Sequence, residues 1–207
     1  MASGGIHETL TNMLQNRSGG NAGESREVEV RFGRIVDGLY VPGVEEETWD
    51  RVLERLGSYD HWSASSVEFS THVHYGASIH AVETGATSSK RRIRDVAFTT
   101  GTAVTVKACE SVERACTAPR RRLTETAVRA KHRHSFSYKD KVRFDCSLCV
   151  TGTVVASCVA TPRCTYEVEL EAISDEATAA SIVMKVDDVI EMITGTRPTQ
   201  YTRLQDP

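Results

Sequence analysis

Glu167, Glu169 and Glu171 occupy alternate positions in the stretch Tyr166-Glu167-Val168-Glu169-Leu170-Glu171. Strand side chains alternate between faces, so these three carboxylates share one face and Tyr166, Val168 and Leu170 the other. The carboxylates then stand about 7 Å apart along the strand and repel one another. Any fold built on this strand must set cations or water against that face.

Other stretches repeat the alternation with their own charges. Glu27, Glu29 and Arg31 share a face of Glu27–Gly33, and Arg129, Lys131 and Arg133 share a face of Val128–Phe136. After a turn at Tyr138–Asp140, the stretch Val142–Cys149 puts Arg143, Asp145 and Ser147 opposite Val142, Phe144, Cys146 and Leu148. Further strands are expected over Val67–His74, over Lys90–Arg94 with Arg92 and Arg94 on one face, over Ala103–Ala108 with Lys107, and over Val154–Ala160. Helices are expected over Glu45–Leu56, whose apolar face is Trp49, Val52, Leu53 and Leu56, and over Asp175–Ile193. Residues 1–25, rich in Gly, Ser and Asn, read as a mobile tail with a weakly helical piece at Glu8–Gln15; residues 196–207 read as a second tail. The folded domain is then 26–195. Many short strands, a helix near each end and no regular β-α alternation predict an antiparallel α+β fold or closed barrel.

The net charge of −3 argues against a generally basic nucleic-acid binder, so an anion site must be a local cluster. No apolar run approaches a membrane span, and no signal peptide is expected at the N-terminus. Cys146 and Cys149 form a C-x-x-C inside an expected strand, where they face opposite ways, and no matching pair completes a zinc site.

Solvated faces usually mix both signs. Here the signs are segregated strand by strand, which fits a barrel with a water-filled, charged interior and apolar faces turned outward. Two unit charges about 4 Å apart interact by roughly 4 kcal/mol at an effective dielectric of 20. Five glutamates converging on one interior therefore need cations. A hard divalent metal prefers carboxylate and water oxygens and completes its shell with phosphate, whereas Arg grips phosphate oxygens in pairs. Acids for a metal facing bases for an anion describe a metal-dependent polyphosphate site.

At this point the chain resembles the metal-dependent RNA 5′-triphosphatases of mRNA capping in fungi, protozoa and some large DNA viruses, within the triphosphate tunnel metalloenzymes. The resemblance lies in EVEVRFG (27–33), KRRIR (90–94), TVK (105–107), RAKHRHSF (129–136), VRFDCS (142–147) and YEVELE (166–171), in that order. It implies an α+β fold with a closed antiparallel eight-stranded β-barrel and flanking helices. It also implies Glu27, Glu29 and Glu171 as ligands of Mg²⁺ or Mn²⁺, and Glu169 and Asp145 acting through metal-bound water. Glu167 matches an acid that braces the basic residues. Arg92 or Arg94, with Lys131 and Arg133, match γ-phosphate contacts, and Lys107, Arg129 and Arg143 match the remaining basic positions. Phe32 matches a structural position, and Arg31 stands where the wider superfamily's ExExK signature has Lys.

The activity implied is removal of the γ-phosphate from 5′-triphosphate-ended pre-mRNA, leaving a 5′-diphosphate end. NTPs are implied as alternative substrates and an mRNA guanylyltransferase as partner, in the nucleus, or in the cytoplasm for a viral enzyme. An inorganic tripolyphosphatase of the same superfamily and a non-catalytic polyphosphate- or RNA-binding barrel remain as alternatives. One departure stands out: the strand before KRRIR carries Glu68, His72 and His74 but none of the Asp that often anchors the nearby arginine. The arginines of the loop at 120–122 are candidates for guiding RNA or for nuclear addressing, against the plainer reading of a solvated loop.

Overall fold

The computed structural model describes residues 5–17, 24–75, 78–82, 84–116, 127–155, 158–159 and 163–204. The arginine loop at 120–122 lies outside them. Eight antiparallel strands close a barrel: β1 (Glu24–Val36), β3 (Ala64–Tyr75), β4 (Ser78–Ala81), β5 (Thr87–Thr99), β6 (Thr105–Ala115), β7 (Ala127–Tyr138), β8 (Val142–Val155) and β10 (Arg163–Ala172). Their order around the barrel is β10-β1-β6-β5-β4-β3-β7-β8, closed by the pairing of β8 with β10. Three short strands lie off this path. They are β2 (Leu39–Pro42) on β1, β9 (Cys158–Val159) on β8, and β11 (Thr202–Arg203) on β5.

The period-two pattern decides which face is which. Val28, Val30 and Phe32 of β1, Val106 and Ala108 of β6, Phe144 and Cys146 of β8, and Val168 and Leu170 of β10 are all buried in one apolar core. That core lies outside the barrel, beneath three helices. These are α1 (Ile6–Gln15), α2 (Glu46–Gly57) and α3 (Ala179–Thr194), which pack on β1, β6, β8 and β10 and on one another. The charged partners of these strands therefore point inward. On the far side of the barrel β3 has no helical cover, and Val67 and Phe69 remain exposed.

Each helix uses an apolar stripe. Trp49, Val52 and Leu56 are buried on α2. On α3 the buried set is Ala179, Ile182, Val186, Val189 and Ile190; Thr178 and Ser181 form a capping box at its start, and Gly195 closes it at φ 79°. No described helix is long and apolar enough to cross a membrane.

Four local expectations are revised. Residues 1–25 are not wholly a mobile tail, because α1 buries Ile6, Leu10 and Met13 and β1 begins at Glu24. A ten-residue helix draws its stability from such packing, which the surrounding Gly and Ser conceal. Residues 196–207 are not wholly a frayed tail either: Tyr201 donates to Asp187, and β11 pairs with β5. The expected strand at 154–160 divides between the end of β8 and β9; residues 156–157 and 160 lie outside the described set. Finally, the strand expected over Ala103–Ala108 starts at Thr105 and runs on to Ala115.

Candidate active site

Register fixes the interior surface. Glu29 of β1 lies opposite Glu171 of β10, and Arg31 opposite Glu169. On the other side of β10, Glu171 faces Arg143, Glu169 faces Asp145 and Glu167 faces Ser147 of β8. Beyond β8, Ser135 of β7 faces Asp145, Arg133 faces Ser147, and Lys131 faces Cys149. The interior encloses a cavity of about 490 Å³. Glu27, Glu29, Asp145, Glu169 and Glu171 line it together with Arg31, Lys90, Arg129, Lys131, Arg133 and Arg143. A second cavity of about 540 Å³ sits between β1, the start of α2, residues 101–104 and the end of α3. Its charged side chains are Arg34 and Glu45, which pair with each other, so it lacks the convergent charges that a catalytic pocket needs.

Ion pairs cross the tunnel in every direction. Arg31 bridges Glu29 at 2.7 Å and Glu169 at 3.2 Å. Lys131 reaches Glu169 at 3.4 Å, and Arg143 reaches Glu171 at 2.6 Å and Asp145 at 3.1 Å. Arg129 donates to Glu167 at 2.5 Å, although Glu167 itself lies outside the cavity lining. Lys90 pairs with Glu27 and lies 4.0 Å from Glu29.

These pairs leave the carboxylates unequally provided for. Burial pushes the Glu169 carboxyl up, but Lys131, Arg31, Arg133 and Arg129 outweigh it and hold the pKa at about 2. Glu171 behaves in the opposite way. Burial raises it, Arg143 lowers it, and Glu27, Asp145 and Glu29 raise it again, leaving about 7. Glu29 is likewise raised, by burial and then by Glu169. Glu29 and Glu171, each with one close cation, thus stay above the ordinary carboxylate range, whereas Glu169, with several cations around it, falls below it.

Glu27, Glu29 and Glu171 fit a hard cation. The three side chains offer only carboxylate oxygens, on two adjacent strands, with Glu29 and Glu171 in direct register. Among the described residues no three ligating groups already converge on one point; Glu27 turns to Lys90, Glu29 to Arg31 and Glu171 to Arg143. The adjoining strands β8 and β7 fit an anion. Arg133 Nε and the neighbouring Ser147 Oγ are buried without a hydrogen-bond partner, although Arg133 lines the cavity.

The two arginines of KRRIR part company. A bulge between Arg92 and Arg94 shifts the register of β5 on β6, so Arg92 faces Ser111 and Arg94 faces Glu110. Arg94 therefore leaves the interior and pairs at 2.8 Å with Glu110, a buried side chain on the core face that Arg26 also holds. Equal parity in the sequence suggested one shared face; the extra residue Ile93 reverses it. Arg92 stays inside but outside the cavity lining, bound to Asp95 at 2.9 Å. Lys107 joins the same carboxylate at 2.6 Å. Arg92 is thus anchored by Asp95 of its own strand, beyond the bulge.

Two interior cations had no place in the expected site. Lys90 has the parity of Arg92, which was a readable signal. Arg31 was visible as a member of the first strand's charged face, but its link to Glu169 required the β1–β10 register.

No protein-family model and no curated protein matches the sequence significantly. Solved structures do match. The RNA triphosphatase Pct1 of S. pombe superposes with a TM-score of 0.69 at 12% identity, covering 91% of this chain and 92% of that one. The same enzyme in complex with the Spt5 CTD gives 0.67 at 12% identity, covering 91% and 93%. The Mimivirus capping enzyme triphosphatase gives 0.64 at 16% identity, covering 91% and 97%. The chain therefore has the closed tunnel barrel of the fungal and Mimivirus RNA triphosphatases.

Proposed function

We propose that this chain is a metal-dependent RNA 5′-triphosphatase, which removes the γ-phosphate of 5′-triphosphate-ended pre-mRNA as the first step of cap formation. The observation that carries the reading is the meeting, in one cavity, of the acidic cluster Glu27, Glu29 and Glu171 on β1 and β10 with Arg129, Lys131, Arg133 and Arg143 on the adjoining β7 and β8. A fold shared with RNA triphosphatases of a fungus and a virus supports it.

Glu27, Glu29 and Glu171 would hold Mg²⁺ or Mn²⁺. When bound, the metal supplies Lewis-acid polarisation of a phosphate oxygen and neutralises charge. The protein's own part is positioning and electrostatics, because phosphoryl transfer asks for little covalent chemistry from it. Arg133, which lines the cavity and leaves its Nε unpaired, would turn its guanidinium to phosphate oxygens, and Lys131 would add a point charge. Arg129 and Arg143, braced by Glu167 and by Asp145 respectively, neutralise charge that develops toward the bridging oxygen. Glu169 orients the attacking water in line with the γ-phosphorus. Lys131, Arg31 and Arg133 hold its carboxylate below the ordinary range, so it would be ionised and accept a hydrogen bond from the water. Arg92 and Lys107, on β5 and β6 and joined through Asp95, add positive charge on the other side of β1, outside the cavity lining. Arg94 has no part in the site.

Under this reading NTPs are secondary substrates. An mRNA guanylyltransferase is the expected partner, and the nucleus, or the cytoplasm for a viral enzyme, the expected location. The test is phosphate release from triphosphate-ended RNA, ATP and inorganic tripolyphosphate, each with Mg²⁺, Mn²⁺ or chelator. Chelator-sensitive release from RNA supports the reading. Release from tripolyphosphate alone replaces it with an inorganic tripolyphosphatase, and no release from any substrate leaves a binding barrel.

A further inference from the structure

One stretch of the tunnel lining, between Arg129 on one side and Lys90 with Glu113 on the other, carries no charge. It is built from β3, β4 and the start of β5: His72, Ile79, Ala81 and Ser88 all line the cavity. Register makes them contiguous, with His72 opposite Ala81 and Ile79 opposite Ser88. The four residues of β4 include no acid, lysine or arginine. The wall adjoins the cationic one, since Arg129 of β7 lies opposite His72. Burial, His74 and Lys131 all lower the pKa of His72 and favour its uncharged ring.

Such a surface offers little to phosphate and little to a divalent cation. It suits an uncharged, flat group carried beside a polyphosphate. The cavity volume lies in the range of roughly 300–1,000 Å³ that accommodates small organic ligands. We infer that His72, Ile79, Ala81 and Ser88 form the subsite for the first nucleoside of the substrate, its base lying against the His72 ring and the Ile79 side chain. This rests on the triphosphatase reading above and deepens it: the same wall lets the tunnel prefer a nucleoside-linked triphosphate over a bare inorganic one. Base stacking on a protein ring tolerates any base, so the preference is for a nucleoside and not for a sequence.

The experiment compares kcat/KM for triphosphate-ended RNA with that for inorganic tripolyphosphate in the wild type, His72→Ser, His72→Phe and Ile79→Asn. In the wild type the ratio favours RNA. His72→Ser and Ile79→Asn lower that ratio by about tenfold, chiefly through KM, as expected for loss of one stacking or apolar contact. His72→Phe restores the ratio, because it keeps a flat ring. The subsite is overturned if both substrates decline in proportion, or if His72→Phe behaves as His72→Ser does. A wild type that hydrolyses tripolyphosphate but not RNA is a different failure, that of the triphosphatase reading itself.

Discussion

Glu29 and Glu171 stand directly across from each other on neighbouring strands, and each carboxyl is held above its ordinary pKa. Burial is the largest cause for both, and in Glu171 the charges of Glu27, Asp145 and Glu29 add to it. Evolution of a merely stable barrel would gain nothing from this pair, since like charges directly opposite are destabilising. Arg31 and Arg143 answer part of that charge, and the proposed divalent cation would answer the rest.

Removing either member should therefore damage function more than fold. Glu29→Ala and Glu171→Ala are expected to lower phosphate release by about a hundredfold or more, in line with the loss of a transition-state charge stabiliser. Circular-dichroism melts should keep a cooperative transition. Retention of most activity by either variant would remove these residues from the metal site.

Arg133→Lys tests the anion wall. Lysine keeps the charge but loses the planar fork that grips two oxygens, so activity should drop by about tenfold or more. Activity close to wild type would mean that Arg133 acts as a point charge only.

The bulge in β5 yields a paired contrast. Arg94→Ala deprives buried Glu110 of one of its two arginines, so its melting temperature should fall by several degrees with activity within about threefold of wild type. Arg92→Ala should lose activity, because Arg92 faces the interior with Lys107. Reversal of that contrast in a side-by-side assay would place Arg94, not Arg92, at the substrate.

Asp95 supplies a pH signature. Burial raises its pKa, but Lys107 and Arg92 bring it below the ordinary aspartate value. A carboxyl with a depressed folded pKa stabilises above its unfolded pKa of about 3.9 and loses that contribution as pH falls through the folded value. Wild type should thus melt above Asp95→Asn at pH 7, and the gap should close below about pH 4. A gap that is constant with pH would contradict the ion pairs.

Lys90 shares Glu27 and Glu29 with any bound cation. Lys90→Gln removes a positive charge from that cluster, so Mn²⁺ titrated calorimetrically should bind about tenfold more tightly. Weaker binding would show that Lys90 does not compete for those carboxylates.

Much of this was readable from period two alone. Glu167, Glu169 and Glu171 share the interior face, and so do Arg129, Lys131 and Arg133, because neither strand is interrupted. Parity fails where a residue is inserted, as at Ile93, and no residue type marks that bulge. β4 escaped notice because Ser-Ile-His-Ala is too short to display alternation, yet it completes the barrel and supplies the neutral wall. α1 is marginal on its own, and only its contact with the core makes Leu10 and Met13 decisive. Register across β1 and β10, which joins Arg31 to Glu169, is a long-range property that no local pattern encodes.

The most direct test of the central claim uses RNA whose 5′-triphosphate is labelled on both the β- and γ-phosphates. With Mg²⁺, the protein should release the γ-label as inorganic phosphate and leave the β-label on the RNA as a 5′-diphosphate end, and chelator should stop the reaction. Label that stays entirely on the RNA, or departs as pyrophosphate, would contradict it.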